Sequence, residues 1–392
     1  MKRIALVFAL IFLSAGIAFS ADFGLLFDQK FEAWNDEAKN TSYSYSPSFT
    51  PWFSWNGSQG LSLYFSGLVS MQYNNSDDGI DANDGWGEPV MVPELSRFSL
   101  SYRYGQLFAV DAGRIFYSDA MGMVASGLFD GIQLRIGGLS LGAFYTGLLY
   151  KDTAKIMMTG SDAADAGFWD WDNVDLYFAS KRALFSLRYD KPLLEYHNFT
   201  FEALAQFDLN NAEDKLNSQY CLMQMEFLAS RVSISLGGLF EAMQNKDGDF
   251  TAGVGALASI RMEVPGSLND SFKLSGIFGS GEWNDIFTGF TPVSSAGQGN
   301  IFSSPLMGLW VAKASYDARL ISSLFAEVSF SVFGRAYDDP AADSMLHGYE
   351  VWASLGWQPM DDIRVNFGGG AYIPSDDADT LWKISAGLSL SF

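Results

Sequence analysis

The chain closes on KISAGLSLSF, Lys383 to Phe392. Ile384, Ala386, Leu388, Leu390 and Phe392 share one face of an extended strand. Lys383, Ser385, Gly387, Ser389 and Ser391 share the other, because successive strand side chains point to opposite sides. A soluble chain commonly finishes in a few polar, poorly ordered residues. Here one face stays apolar through the final aromatic ring, so something apolar is expected to cover it.

The opposite end indicates the compartment. Met1 to Ser20 carries Lys2 and Arg3, then the apolar run IALVFALIFLSAGIAF, then small residues, the pattern of a secretory signal peptide with cleavage expected after Ser20. Cys221 is the single cysteine, so no intramolecular disulfide is available, and none lies near the cleavage site to take a lipid. The remaining 21–392 is read as one domain, since no linker or composition shift divides it. Aromatics reach 16%, charged residues only 18%, and glycines number 39. Low charge with high aromatic content is unusual for a soluble domain. A net charge of −21 argues against nucleic acid as a partner. After the signal peptide no apolar run is long enough for a transmembrane helix. Alternation is then the remaining route into a membrane.

Alternation recurs throughout. FTFEALAQFDL sets Phe199, Phe201, Ala203, Ala205 and Phe207 against Thr200, Glu202, Gln206 and Asp208. RVSISLGGLFEA and DIRVNFGGGAYI repeat the pattern. About 18 strands are expected, over 23–35, 42–55, 60–73, 95–104, 106–117, 128–137, 139–150, 174–190, 199–209, 217–230, 231–244, 249–264, 270–281, 306–317, 320–335, 347–358, 361–373 and 382–392. Connections after even-numbered strands are short. Those after odd-numbered strands include every long one: 74–94, 118–127, 151–173, 282–305 and 336–346. This is the layout of a closed antiparallel transmembrane β-barrel with tight periplasmic turns and long extracellular loops. Closure follows from physics: an unpaired backbone amide in hydrocarbon costs several kcal/mol, so the last strand must pair with the first. Tyr64, Tyr104, Trp310, Tyr316, Trp357, Tyr372 and Trp382 lie near expected strand ends and fit interfacial girdles.

The terminal stretch WKISAGLSLSF resembles the last strand of bacterial outer-membrane barrel proteins. YFASKRALFSLRYDKP together with FTFEALAQFDL looks, more loosely, like porin-like barrels of spirochaetes. The resemblance implies an outer-membrane channel in contact with lipid. It further implies recognition of the strand ending at Phe392 by the outer-membrane assembly machinery. It carries over no catalytic residue. No globular plug precedes the first strand, unlike energy-coupled receptors.

With the apolar positions facing lipid, the lumen is expected to carry Arg97, Arg103, Arg135, Arg182, Arg188, Arg261, Lys273, Lys313, Arg335, Arg364 and Lys383. Opposing them are Glu202, Asp208, Glu226, Glu241, Glu263, Asp317, Glu327 and Glu350. The chain has 24 basic against 45 acidic residues, so the acidic excess is assigned to loops and turns. Arg97, Arg103, Arg135, Arg182 and Arg188, with few acidic neighbours on adjacent inward positions, form the candidate functional stripe. Such a ladder would favour anionic or sugar-like solutes, while the alternative is bracing by wall carboxylates. Asp111 and Arg114 have opposite parity, so a bulge at Gly113 would be needed to turn both inward. Asp77, Asp78, Asp81 and Asp84 in the 74–94 loop form a weak calcium candidate, more simply read as solvated carboxylates. The 282–305 loop, with Trp283, Phe287 and Phe290, is a candidate to fold inward.

Catalysis is poorly supported. His197 and His347 are the only histidines; His347 lies near Asp338, Asp339 and Asp343, and a solvated rim histidine is the simpler reading. No phosphate loop, zinc spacing or dinucleotide fingerprint is present, and no cofactor is expected. Cys221 falls on the lipid-facing parity. The expectation is a porin-like channel for passive diffusion of small hydrophilic solutes. The alternative is a surface adhesin that displays acidic loops on a barrel scaffold.

Overall fold

The computed structural model describes residues 21–35, 40–75, 90–164, 177–194, 197–266, 268–282, 288–294, 297–337, 344–376 and 378–392. The expected signal peptide lies outside them, as do Asp77, Asp78, Asp81 and Asp84, Trp283 and Phe287, and the three rim aspartates near His347.

Eighteen strands form one sheet. They are β1 (Ala21–Asn35), β2 (Thr41–Asn56), β3 (Leu61–Asn75), β4 (Val90–Tyr104), β5 (Phe108–Ser118), β6 (Ser126–Ile136), β7 (Leu139–Tyr145), β8 (Arg182–Leu194) and β9 (His197–Asp208). The second half comprises β10 (Leu216–Ala229), β11 (Val232–Asn245), β12 (Phe250–Glu263), β13 (Ser271–Gly279), β14 (Leu309–Ile321), β15 (Leu324–Arg335), β16 (Leu346–Met360), β17 (Ile363–Pro374) and β18 (Leu381–Ser391). Each pairs antiparallel with its chain neighbours, and β1 pairs with both β2 and β18, so the sheet is a closed barrel. At the seam Phe392 and Leu25 exchange both backbone hydrogen bonds, at 2.9 and 3.0 Å. The expected barrel and its strand count are therefore correct.

The alternation sorts faces as anticipated. Phe185, Leu187 and Tyr189 on β8 are exposed on the outside, while Arg182 and Leu184 on the opposite parity are fully enclosed. Cys221 is exposed on the outer parity. Hydrocarbon is the medium that such a band of exposed Phe, Leu and Ile matches.

The largest boundary differences fall in three strands, β4, β7 and β8, each for a pairing reason. β7 stops at Tyr145 because 146–149 leaves the ladder, Leu149 becoming buried among lumen side chains. The 177–181 segment thereby loses its partner; it is held instead by Ala179 N–H donating to Leu149 O and by the Thr146 hydroxyl donating to Ser180 O. Strand β8 consequently starts at Arg182 rather than 174 and runs on to Leu194, with a register shift between Pro192 and Leu194. A bulge is where a strand tolerates proline. Finally, β4 begins at Val90, and its upper part pairs with β3 alone, because pairing with β5 ends at Phe98↔Arg114. No register shift occurs at Gly113, whose φ is +117°. Arg114 therefore keeps the register of outward Phe116. Its buried guanidinium occupies the fork between β4 and β5, donating to Leu95 O (2.5 Å), Leu148 O (2.8 Å) and both Asp130 carboxylate oxygens.

The buried core lies inside the barrel. Connections from the long-loop end turn inward and pack Met121, Val124, Phe290, Val293 and Leu306 against inward Phe129, Leu184, Leu204, Leu222 and Leu239. Each such side chain withdrawn from water contributes about 1.5–3 kcal/mol. The loop layer is thus driven by the same force that would build a soluble core.

Candidate functional site

The candidate site is the lumen, divided by this loop layer. The first inward segment, 119–125, is organised by Asp119, whose carboxylate accepts the backbone N–H groups of Met121 (2.9 Å), Val124 (2.8 Å) and Ala125 (2.8 Å). The Asp119 side chain thus satisfies amides that no ladder can reach. Met121 then reaches the far wall, where a Cβ on Gly237 of β11 would lie 2.9 Å from the methionine methyl carbon. The second segment, 288–294, docks on the first: Val293 and Ser294 donate to Val124 O at 2.7 and 3.1 Å. Thr291 N–H donates to the buried Glu241 (2.8 Å), and its carbonyl accepts the Tyr220 hydroxyl (2.7 Å). The third, 297–305, sits on Glu350, whose carboxylate accepts the N–H groups of Asn300, Ile301 and Phe302 at 2.9, 2.9 and 3.1 Å.

The expectation that 282–305 folds inward holds for its described part, with Phe290 and Val293 fully buried. The inward turn of 119–125 went unforeseen, although AMGMVA is an uncharged apolar run in a connection that should otherwise meet water. The sequence alone leads one to expect the wall carboxylates as lumen charges. Glu241 and Glu350 instead hold loop backbone.

The proposed arginine stripe needs correction. Arg182 is wholly buried, 2.5 Å from Asp162 and 3.4 Å from Asp208. Arg188 pairs with Glu202 at 3.1 Å, and Arg135 pairs with Asp111. Glu202 itself is wholly buried, accepting from the Tyr117 hydroxyl (2.6 Å) and Ala120 N–H (2.7 Å). Acidic partners come from adjacent strands and from the inward loop, the latter invisible to a wall-only reading. Arg182 and Glu202 therefore do not border open lumen. On the short-turn half, Arg261 faces Asp317 at 3.5 Å and Lys313 faces Glu327 at 3.9 Å. Arg97 is exposed and lies 5.2 Å above the ring of Tyr64. Arg103, Arg364 and Glu226 are exposed on the inward register, and neither Arg103 nor Arg364 has an ion pair among the described residues. The wall expected to be slightly basic is largely charge-compensated.

Two presumed girdle aromatics also belong inside. Tyr64 shares the inward register of Ser99, and Tyr372 is buried against Phe302 and Phe333. Tyr104, Tyr316 and Trp357 remain exposed. The sector from β16 through β18 to β3 adds small or bare inward positions, including Ser42, Ser44, Ser48, Ser54, Ser62, Gly368, Ser385 and Ser389, beside a paired charge cluster in which Glu32 meets Lys30 at 2.9 Å and Lys383 at 2.7 Å.

A closed 18-stranded antiparallel barrel with inward loops defines the class to which the fold belongs. Several solved structures share the fold. OccK5 (OpdH) of Pseudomonas aeruginosa matches with a TM-score of 0.61 at 11% identity, over 95% of this chain and 98% of that one. The outer membrane protein opdK of the same organism gives 0.57 at 12% identity, over 95% and 99%. OccAB4 of Acinetobacter baumannii gives 0.56 at 12%, over 95% and 98%. No family model and no curated protein matches the chain.

Proposed function

We propose that the chain is an outer-membrane channel through which small hydrophilic solutes diffuse passively. The observation that carries this reading is the asymmetry of the lumen. Inward loops fill the long-loop end with apolar packing, while towards the short turns the β14–β18 wall, with Ser354, Asn366, Gly368 and Ser385, borders a cavity of about 670 Å³. Barrels of this strand number enclose more space than wall side chains fill. The likeness to solved barrels, one of them named an outer membrane protein, agrees with that location. The signal peptide expected over 1–20 agrees with export.

In this reading ion-paired arginines brace the barrel and its loops. Exposed Arg97, Arg103 and Arg364 are the cations that set the field felt by a passing ion. The test is incorporation of the purified, heat-modifiable barrel into planar bilayers. Discrete conductance steps are expected, and a folded barrel that never gives steps would refute the proposal. Arg97→Ala should shift the reversal potential in a salt gradient toward cations.

A further inference from the structure

We infer that the short-turn half of the lumen holds a binding site for a neutral pyranose-type sugar, built on the indole of Trp352. This deepens the channel reading by assigning it a solute class. Trp352 points inward from β16, on the register of Ser329 and Gly370. Its ring lies flush against the wall. A Cβ on Gly368 would stand 2.6 Å from the indole, and one on Gly370 would stand 2.9 Å from it. Bare backbone at both positions of the GGG run is what lets the ring lie flat with its other face toward the cavity. Glu350, two residues along the same face, fixes the 297–305 loop beside this platform. The site therefore has a floor and a rigid flank.

Around the indole the 670 Å³ cavity is lined by Ser354, Asn366, Ser385, Asp317 and Glu327. Flat apolar face plus a ring of hydroxyl, amide and carboxylate groups matches a pyranose, which presents C–H groups on one face and hydroxyls around its edge. Pockets of this type use a few placed polar groups to orient a ligand held mainly by its apolar surface. The charges argue against an acidic solute. The one lining cation, Arg319, already donates twice to Ser322 O, at 2.6 and 3.1 Å, and stacks on Phe325. Asp317 and Glu327 are the other lining charges, and each faces a cation already, Arg261 at 3.5 Å and Lys313 at 3.9 Å, so the lining holds no unengaged cation for a carboxylate.

The test is block of ion current by the trisaccharide maltotriose in planar bilayers, with open-chain mannitol as the ringless comparison. Maltotriose should interrupt the salt current of the native barrel, and mannitol should not. Trp352→Ala should weaken the block about tenfold or more, the loss of roughly 1.4 kcal/mol of stacking, while the salt conductance persists. Gly368→Ala, which forces the indole off the wall, should weaken it as well and serves if Trp352→Ala does not fold. Trp310→Ala, on the outer face, should leave the block unchanged. Equal block of native and variant barrels, or block by an aromatic carboxylate such as vanillate but not by maltotriose, would overturn the assignment. Calorimetric titration of the detergent-folded barrel separates the two readings. Maltotriose binding without conductance would sink the channel and leave the site standing, whereas conductance without binding would do the reverse.

Discussion

At the scale of single residues, the decisive groups are those that tie an inward loop to the wall. Arg182 is enclosed between Asp162 of the β7–β8 connection and Asp208 of β9. Arg182→Met would leave two carboxylates buried without their cation, an error that typically costs about 3–5 kcal/mol. The expected result is a clear fall in the midpoint of thermal unfolding, followed by the loss of heat-modifiable migration. Asp119 works at smaller range, holding three strong amide bonds of the 119–125 turn. Asp119→Ala should leave the barrel folded, because no wall ladder depends on it. The turn that crosses the lumen would loosen, and single-channel records should show larger, noisier conductance. Unchanged records would mean that the turn does not narrow the passage.

Among the elements, the described segments 119–125, 288–294 and 297–305 at the long-loop end behave as core. Their apolar residues find Leu and Phe on the inner wall, and their amides find Glu241, Glu350 and Asp119. Removing 297–304, which sits on Glu350, should raise conductance, since β13 to β15 pair without it. An unchanged conductance would place the narrowing elsewhere. The two exposed connections that meet at Ser161 and Asp214 offer a pH readout. Ser161 donates its hydroxyl (2.6 Å) and its N–H (2.7 Å) to Asp214. These bonds, led by the hydroxyl, hold the Asp214 carboxyl below the ordinary aspartate range. A depressed folded value means that the tether is fully present above the unfolded value and is lost as pH falls through the folded one. Protection of the 159–162 amides, corrected for intrinsic exchange, should therefore drop in acid in the native protein. In Asp214→Asn it should stay nearly flat.

For the whole molecule, closure is the condition on which everything else rests. β18 pairs with β17 along one edge and with β1 along the other, and Phe392 pairs with Leu25 through both of its backbone groups. Removing 381–392 would expose two strand edges to hydrocarbon at a cost of several kcal/mol per unpaired group. The truncated chain should fail to form a heat-modifiable barrel and should aggregate. Recovery of a compact barrel would mean that β17 can close on β1 with one strand fewer.

By itself the sequence determined the barrel, its strand number and which face of each strand turns outward, because a period of two is a local property that each strand carries alone. Cys221, Phe201 and Leu187 could be assigned to the outside without knowing any neighbour. What occupies the inside was decided by tertiary structure. Whether Arg182 lines a channel or is sealed between two aspartates depends on where 160–164 comes to rest, a matter of contacts distant in the chain. The one local warning was AMGMVA, apolar residues where a solvated loop should be polar. Arg97, Arg188 and Arg364 look alike in the sequence, and only the position of an opposing carboxylate makes one a brace and leaves another facing open lumen.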